Sequence, residues 1–206
     1  MTASSVTVST TVTEAPLAVQ RFTACVVAIN DWMSASRLKL NPTKTEVLWL
    51  GSSHQLSQIG INDIPLLSMT TRVVESARDL GVVIDSELSL SAHVAALCRS
   101  GFYHLRQLRP VLRSLTHKAA RTLVQAFISC RLDYCNSLLY GVSHGNIRKV
   151  QSVQNAAARL LTGTRRGDHI SPVLRQLHWL PVQRRFDFKL ACFVFSSLSG
   201  QAPSYG

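Results

Sequence analysis

The residues of this chain whose types and spacing point to chemistry are its arginines. Arg99 and Arg106 stand seven positions apart, which places them within about 20° of each other around a helix. Arg148 and Arg159 recur with Ser152 and Asn155 on a second helical stripe, and Arg109, Arg113, Arg165 and Arg166 complete the set. Fixed positive charges on helix faces turned away from an apolar stripe would hold the phosphate backbone of a nucleic acid. Such binding is driven by charge and is largely independent of base sequence.

The charge balance of the chain fits that chemistry. Its 206 residues carry 22 Lys and Arg against 11 Asp and Glu, a net charge of +11. Residues 1–87 hold six basic and eight acidic side chains, whereas residues 88–206 hold sixteen basic and three acidic, a net of +13. A segment so basic favours a polyanionic partner and says nothing of fold. A solvated basic face without a partner is the plain alternative.

Other chemistries find little support. No phosphate-binding G-x-x-x-x-G-K-[ST], no G-x-G-x-x-G and no G-x-S-x-G occurs. Asn41-Pro42-Thr43 has proline at the middle position, which excludes a glycosylation site. His93, His104, His117, His144, His169 and His178 are scattered without ligand spacing, and the trio Cys130, Cys135 and His144 does not follow a usual zinc pattern. No two carboxylates are adjacent, so no paired-carboxylate metal site is written locally. Neither a metal nor another cofactor is therefore expected. Five cysteines, without a C-x-x-C pair, read as a reduced intracellular chain with nucleus and cytoplasm undistinguished. Residues 1–16 lack the basic start of a secretory signal. The longest apolar runs, Ala24–Ile29 and Leu190–Phe195, span six residues each, against the roughly 18 needed to cross a membrane.

The elements that must position the arginines follow from periodicity, and they give an α+β chain. Residues 1–16, rich in Ser, Thr and Val, read as a disordered tail, and residues 200–206 as a disordered end. Residues 17–88 combine a helix over Leu17–Leu38, with Phe22, Cys25, Val26, Ile29, Trp32 and Met33 at helical spacing, and short strands at Thr45–Leu50, Ile61–Met69 and Leu80–Asp85. Residues 89–199 are mainly helical. The first helix is capped by Ser89 or Ser91 and runs to about Leu108, before Pro110, on a stripe of Val94, Leu97, Leu105 and Leu108. The second starts at Thr116 with Leu123, Val124, Phe127 and Ile128 inward. The third spans about Gly145–Leu161 and stops at Gly163. Ser171-Pro172 and Pro181 open two more. The last of these is apolar around most of its girth, so a partner protein covering it is expected.

Several ordered segments resemble one family. Leu38-Lys39-Leu40-Asn41-Pro42-Thr43-Lys44-Thr45-Glu46-Val47-Leu48 resembles the segment after the catalytic box of non-LTR (LINE-type, jockey-like) reverse transcriptases. Leu80-Gly81-Val82-Val83-Ile84-Asp85 resembles that family's primer-grip block. The runs Arg131–Gly141, Val150–Arg159 and His178–Val182 are similar to its thumb and post-thumb region. The resemblance covers about residues 17–206. It implies a right-hand polymerase fold: a partial palm over 17–88, then a helical thumb over 89–199. It implies for Lys44 the role of a cation near the departing pyrophosphate, and for the partner an RNA or DNA template–primer duplex.

The same resemblance marks a departure. The family holds Mg²⁺ on palm aspartates in a Tyr/Phe-x-Asp-Asp box just upstream of Leu17, where this chain has a Ser/Thr/Val stretch whose only acid is Glu14. A truncated remnant without polymerase activity of its own, retaining backbone-binding helices through Arg99, Arg106, Arg109, Arg113, Arg148, Arg159, Arg165 and Arg166, is the resulting expectation. The alternatives are an interaction module docking through its apolar last helix, and a translated fragment without function.

Overall fold

In the computed structural model, which describes residues 5–202, the fold is α+β and divides into two units, Met1–Ser89 and Leu90–Gly206. Residues 1–4 and 203–206 of the expected disordered ends lie outside the described residues. Between them, residues 5–11 are irregular. The first helix, α1 (Ala15–Ala35), begins before Leu17 because Pro16 presets its first turn and Ala15 is buried.

In the first unit, α1 lays Val19, Phe22 and Val26 against Val47, Ile64 and Leu66. The Thr23 hydroxyl donates to the Pro65 carbonyl at 3.2 Å. Trp32, at helical spacing with Phe22 and Val26, is 66% exposed. The strand beneath is only four residues, about 13 Å, and the packed part of α1 ends at Val26.

The strand expected over Ile61–Met69 is a hairpin instead. β1 (Asp63–Leu66) pairs antiparallel with β2 (Met69–Arg72), and Leu67 turns between them at φ 55°. Leu80–Asp85 is likewise half turn. Leu80 and Gly81, at φ 44° and 86°, join β3 (Ser76–Asp79) to β4 (Val82–Asp85), and the left-handed pair matches strand twist. Thr45–Leu50 forms no strand; a single parallel bridge, Val47 to Val73, ties it down. The sequence reading also passed over α2 (Ser53–Gln58). Its capping box, with the Ser52 hydroxyl on the Gln55 N–H and the Gln55 side chain back on Ser52, was written in S-x-x-Q.

The second unit is helical. α3 (Ser91–Leu112) runs through Pro110 rather than ending at Leu108. In a last turn the missing N–H removes one bond, and Leu112 beyond it packs on the core. Neither serine holds its N-cap position, which Leu90 fills at φ 55°. The Ser91 hydroxyl instead accepts from the Asn146 side chain at 3.0 Å.

Thr116 does cap α4 (His117–Val124). The rod then passes through a π-helical turn, Gln125–Ser129, into α5 (Cys130–Asp133). The Cys130 N–H donates to the Gln125 carbonyl, five residues back. This turn corrects the placement of Phe127. In a regular helix each fourth residue drifts by 40°, so Phe127 would face the core with Val124. The extra residue of a π turn stacks Ala120, Val124, Ile128 and Leu132 on the buried line and turns Phe127 outward, 40% exposed.

A short 3₁₀ turn (Asn136–Leu139) leads to α6 (His144–Thr162), capped by Ser143 and stopped by Gly163 at φ 71°. α6 is the spine of the unit. Val150, Val153 and Ala157 join Val94, Leu105, Leu108, Val124, Ile128 and Phe186 in one core. α7 (Ile170–Gln176) starts with His169 at its N-cap, ahead of the expected Ser171, and closes a smaller cluster on Ala158. α8 (Val182–Leu198) follows Pro181. It buries Val182 and Phe186, while Phe188, Phe193, Val194, Phe195 and Leu198 are exposed. No helix among the described residues is long and apolar enough to cross a membrane.

Candidate nucleic-acid interface

Because Val94, Gly101, Leu105 and Leu108 of α3 are buried, Arg99, Arg106 and Arg113 fall on the opposite ridge. They recur every seven residues, at steps of about 10 Å along the axis. All three are exposed, and so is Arg109. The passage of the helix through Pro110 is what keeps Arg109 on the same rod, with Arg113 as its C-cap, where cations also complement the helix dipole. Among the described residues, no carboxylate lies in ion-pair range of these four.

The three acids of the second unit are engaged elsewhere. Asp133 receives Arg185 from α8 through two hydrogen bonds, Nε to Oδ1 at 2.8 Å and Nη2 to Oδ2. Asp187 meets Arg184 at 3.5 Å. Asp168 accepts from the Arg165 N–H at 3.1 Å. The sixteen basic side chains are thus left with little internal neutralisation.

The arginines of the α6 stripe separate into two roles. Arg148 is exposed on the first turns of α6. Arg159 is half-buried, and its guanidinium donates to the Arg165 and Asp168 carbonyls, each at 3.3 Å. It ties down the 165–168 turn and is half-buried, where its stripe suggested a fully solvent-facing side chain. The turn it shapes presents Arg165 and Arg166 outward.

Three of the sequence runs singled out above, 131–141, 150–159 and 178–182, meet one another in this unit. Gln154, 1% exposed, donates to the Leu180 carbonyl at 2.8 Å and accepts from Gln151. Gln151 Oε1 accepts the Val182 N–H at 2.8 Å, filling one of the open donors at the start of α8. Val150–Arg159 thereby docks His178–Val182, and Asp133 docks α8 through Arg185. These polar residues hold the bundle together, a role their spacing did not announce.

Sequence reasoning missed an aromatic group beside the arginines. Tyr103 and His104 of α3 stand edge to face at 5.4 Å between centroids, and His104 lies 5.7 Å from Phe127. Arg131 is close enough to act on His104: desolvation first, then the Arg131 charge, hold this imidazole below the ordinary histidine range. The only sequence signal was Tyr103 between Arg99 and Arg106 on one helix face. On the same helix, burial pushes the Cys98 thiol up, partly offset by the Lys149 charge.

Lys44 is exposed in the first unit, at the end of a 3₁₀ turn (Pro42–Lys44) that Asn41 caps through the Thr43 N–H. No group of three His, Cys, Asp or Glu side chains gathers as a ligand set among the described residues, so Cys130, Cys135 and His144 are not brought together. Comparison with protein-family models, curated proteins and solved structures gives no match for this chain.

Proposed function

We propose that the second unit binds the sugar–phosphate backbone of a template–primer-like RNA or DNA duplex, in a chain of non-LTR reverse-transcriptase origin that carries no polymerase chemistry of its own. The observation that carries this reading is the α3 ridge. Arg99, Arg106 and Arg113 point away from the core at even spacing, on a unit with sixteen basic side chains whose three acids are already engaged. The family origin rests on the ordered motifs from Leu38 to Val182. The lack of polymerase chemistry rests on the Ser/Thr/Val stretch, with Glu14 its only acid, that stands where the resembled family carries its Tyr/Phe-x-Asp-Asp box.

Fluorescence anisotropy with a labelled RNA–DNA duplex over a range of salt tests it. Affinity should fall with salt at a log–log slope of about 0.9 per phosphate neutralised on a B-form duplex. Arg99→Ala with Arg106→Ala should reduce that slope by roughly 1–2 and weaken all sequences alike. Affinity indifferent to salt would refute the reading. Primer extension with Mg²⁺ should give no product; extension lost on Lys44→Ala would restore an enzyme.

One observation favours a second reading. The last three turns of α8 expose Phe188, Phe193, Val194, Phe195 and Leu198, an apolar face suited to a protein partner. A stable complex formed without nucleic acid, and lost on Phe195→Glu, would support it.

A further inference from the structure

The ridge of α3 is not uniformly cationic. Tyr103 lies between Arg99 and Arg106 and is 60% exposed. Its ring begins a chain of contacts that continues through His104 to Phe127, 40% exposed on the neighbouring rod. Large aromatics normally bury their faces. Here the π turn at Gln125–Ser129 carries Phe127 away from the buried line of Val124 and Ile128 and toward His104. The cluster is bordered by Arg99 and Arg106 on α3 and by Arg131 on α5, whose charge reaches His104.

Exposed rings set among guanidinium groups that have no ion-pair partner among the described residues match one kind of ligand. A single-stranded nucleic acid offers phosphates to the arginines and unpaired bases to the rings. A blunt duplex offers only the first, because its bases are stacked on each other. A protein partner for the rings would need a compensating acidic surface as well.

Resting on the backbone-binding reading, we infer that Tyr103, His104 and Phe127 form a stacking platform for unpaired bases, so that this face prefers single strands or single-stranded ends to a bare backbone. Base–aromatic stacking is tolerant of sequence because every base has a π face. The platform therefore adds affinity without adding base specificity. His104, held below the ordinary histidine range, presents an uncharged imidazole at neutral pH.

The test compares two labelled probes of equal length and charge on the full chain: an oligothymidylate and an abasic strand with the same phosphates. The chain should bind the oligothymidylate about tenfold more tightly. Tyr103→Ala with Phe127→Ala should bring it down to the abasic level, with abasic affinity and salt slope unchanged. Tyr103→Phe should keep the preference. Phe127→Leu, which preserves apolar bulk without a π face, should weaken it, so the test survives if the alanine pair unfolds. Equal binding of both probes by the parent would overturn the platform while leaving the charge reading standing. Loss of both probes alike in folded variants would also overturn it. If neither probe bound in a salt-dependent way, the backbone-binding reading itself would fall.

Discussion

Gly101 of α3 and Val153 of α6 are in a contact that no larger residue fits: a Cβ placed on Gly101 would sit 2.6 Å from Val153 Cγ1. Val153 is fully buried, and its branched side chain has little rotamer freedom within a helix. Gly101 therefore sets how closely the two central helices approach. Gly101→Ala should gain a few tenths to about 1 kcal/mol of helix propensity and lose about 1–3 kcal/mol to overpacking. A net loss in urea denaturation is the expected outcome, with partial rescue by Val153→Ala. Unchanged stability would mean that the helices separate without cost.

The Asp133–Arg185 pair should behave as a joint, since Arg185 is only 17% exposed. Asp133→Ala leaves that charge without its partner and should cost about 1–3 kcal/mol. The double variant Asp133→Ala/Arg185→Ala should cost less than the two single changes added together. Strict additivity would show that the pair contributes nothing as a pair.

Gln154→Leu removes the donor to the Leu180 carbonyl and a partner of Gln151, all inside the unit. Stranded buried polar groups cost about 1–3 kcal/mol each. Hydrogen exchange should quicken first at the start of α8, where Gln151 holds the Val182 N–H. Uniform loss of protection across the unit would argue against a local joint.

Arg148 and Arg159 should separate in experiment although they share a stripe. Arg148→Ala should lower the salt slope of duplex binding by about 0.9 per lost phosphate contact and leave melting unchanged. Arg159→Ala removes both bonds to the 165–168 turn and should lower the melting temperature. Identical behaviour of the two variants would contradict this division.

Acid should weaken the fold through His104. Its folded-state pKa lies below the unfolded value of about 6.5. Between those two values the unfolded chain binds more protons, so stability rises with pH through that window and is complete above it. Melting temperatures should fall on acidification more steeply for the parent than for His104→Gln. Parallel profiles would remove His104 from the account.

How much of this was readable in the residues depended on whether the signal was local. The cap at Thr116, the stop at Gly163 and the apolar stripe of α3 are short-range patterns, and the structure has them; the Ser143 cap of α6 was passed over. Leu80-Gly81 was read as strand because its apolar leucine masked a turn that left-handed dihedrals reveal. Phe127 faced the wrong way because one π turn shifts the phase of a rod that looks regular in sequence. Arg159 looked like its neighbour Arg148 because the carbonyls it holds belong to a turn six to nine residues further on. The aromatic platform joins residues 23 to 24 positions apart on two rods, beyond the reach of any single periodicity.

The π turn also gives the 117–133 rod a spare residue. With it, the buried positions Ala120, Val124, Ile128 and Leu132 are spaced four, four and four. Deleting Ala126 would make the spacing four, three and four, which is the inward pattern of an ordinary α-helix. A deletion of one residue, which in α3 or α6 would swing every later side chain off its face, is absorbed here as a return to regular winding. The rod thus has a built-in tolerance to a change in length, and that tolerance is confined to the stretch that sets Phe127 at the surface.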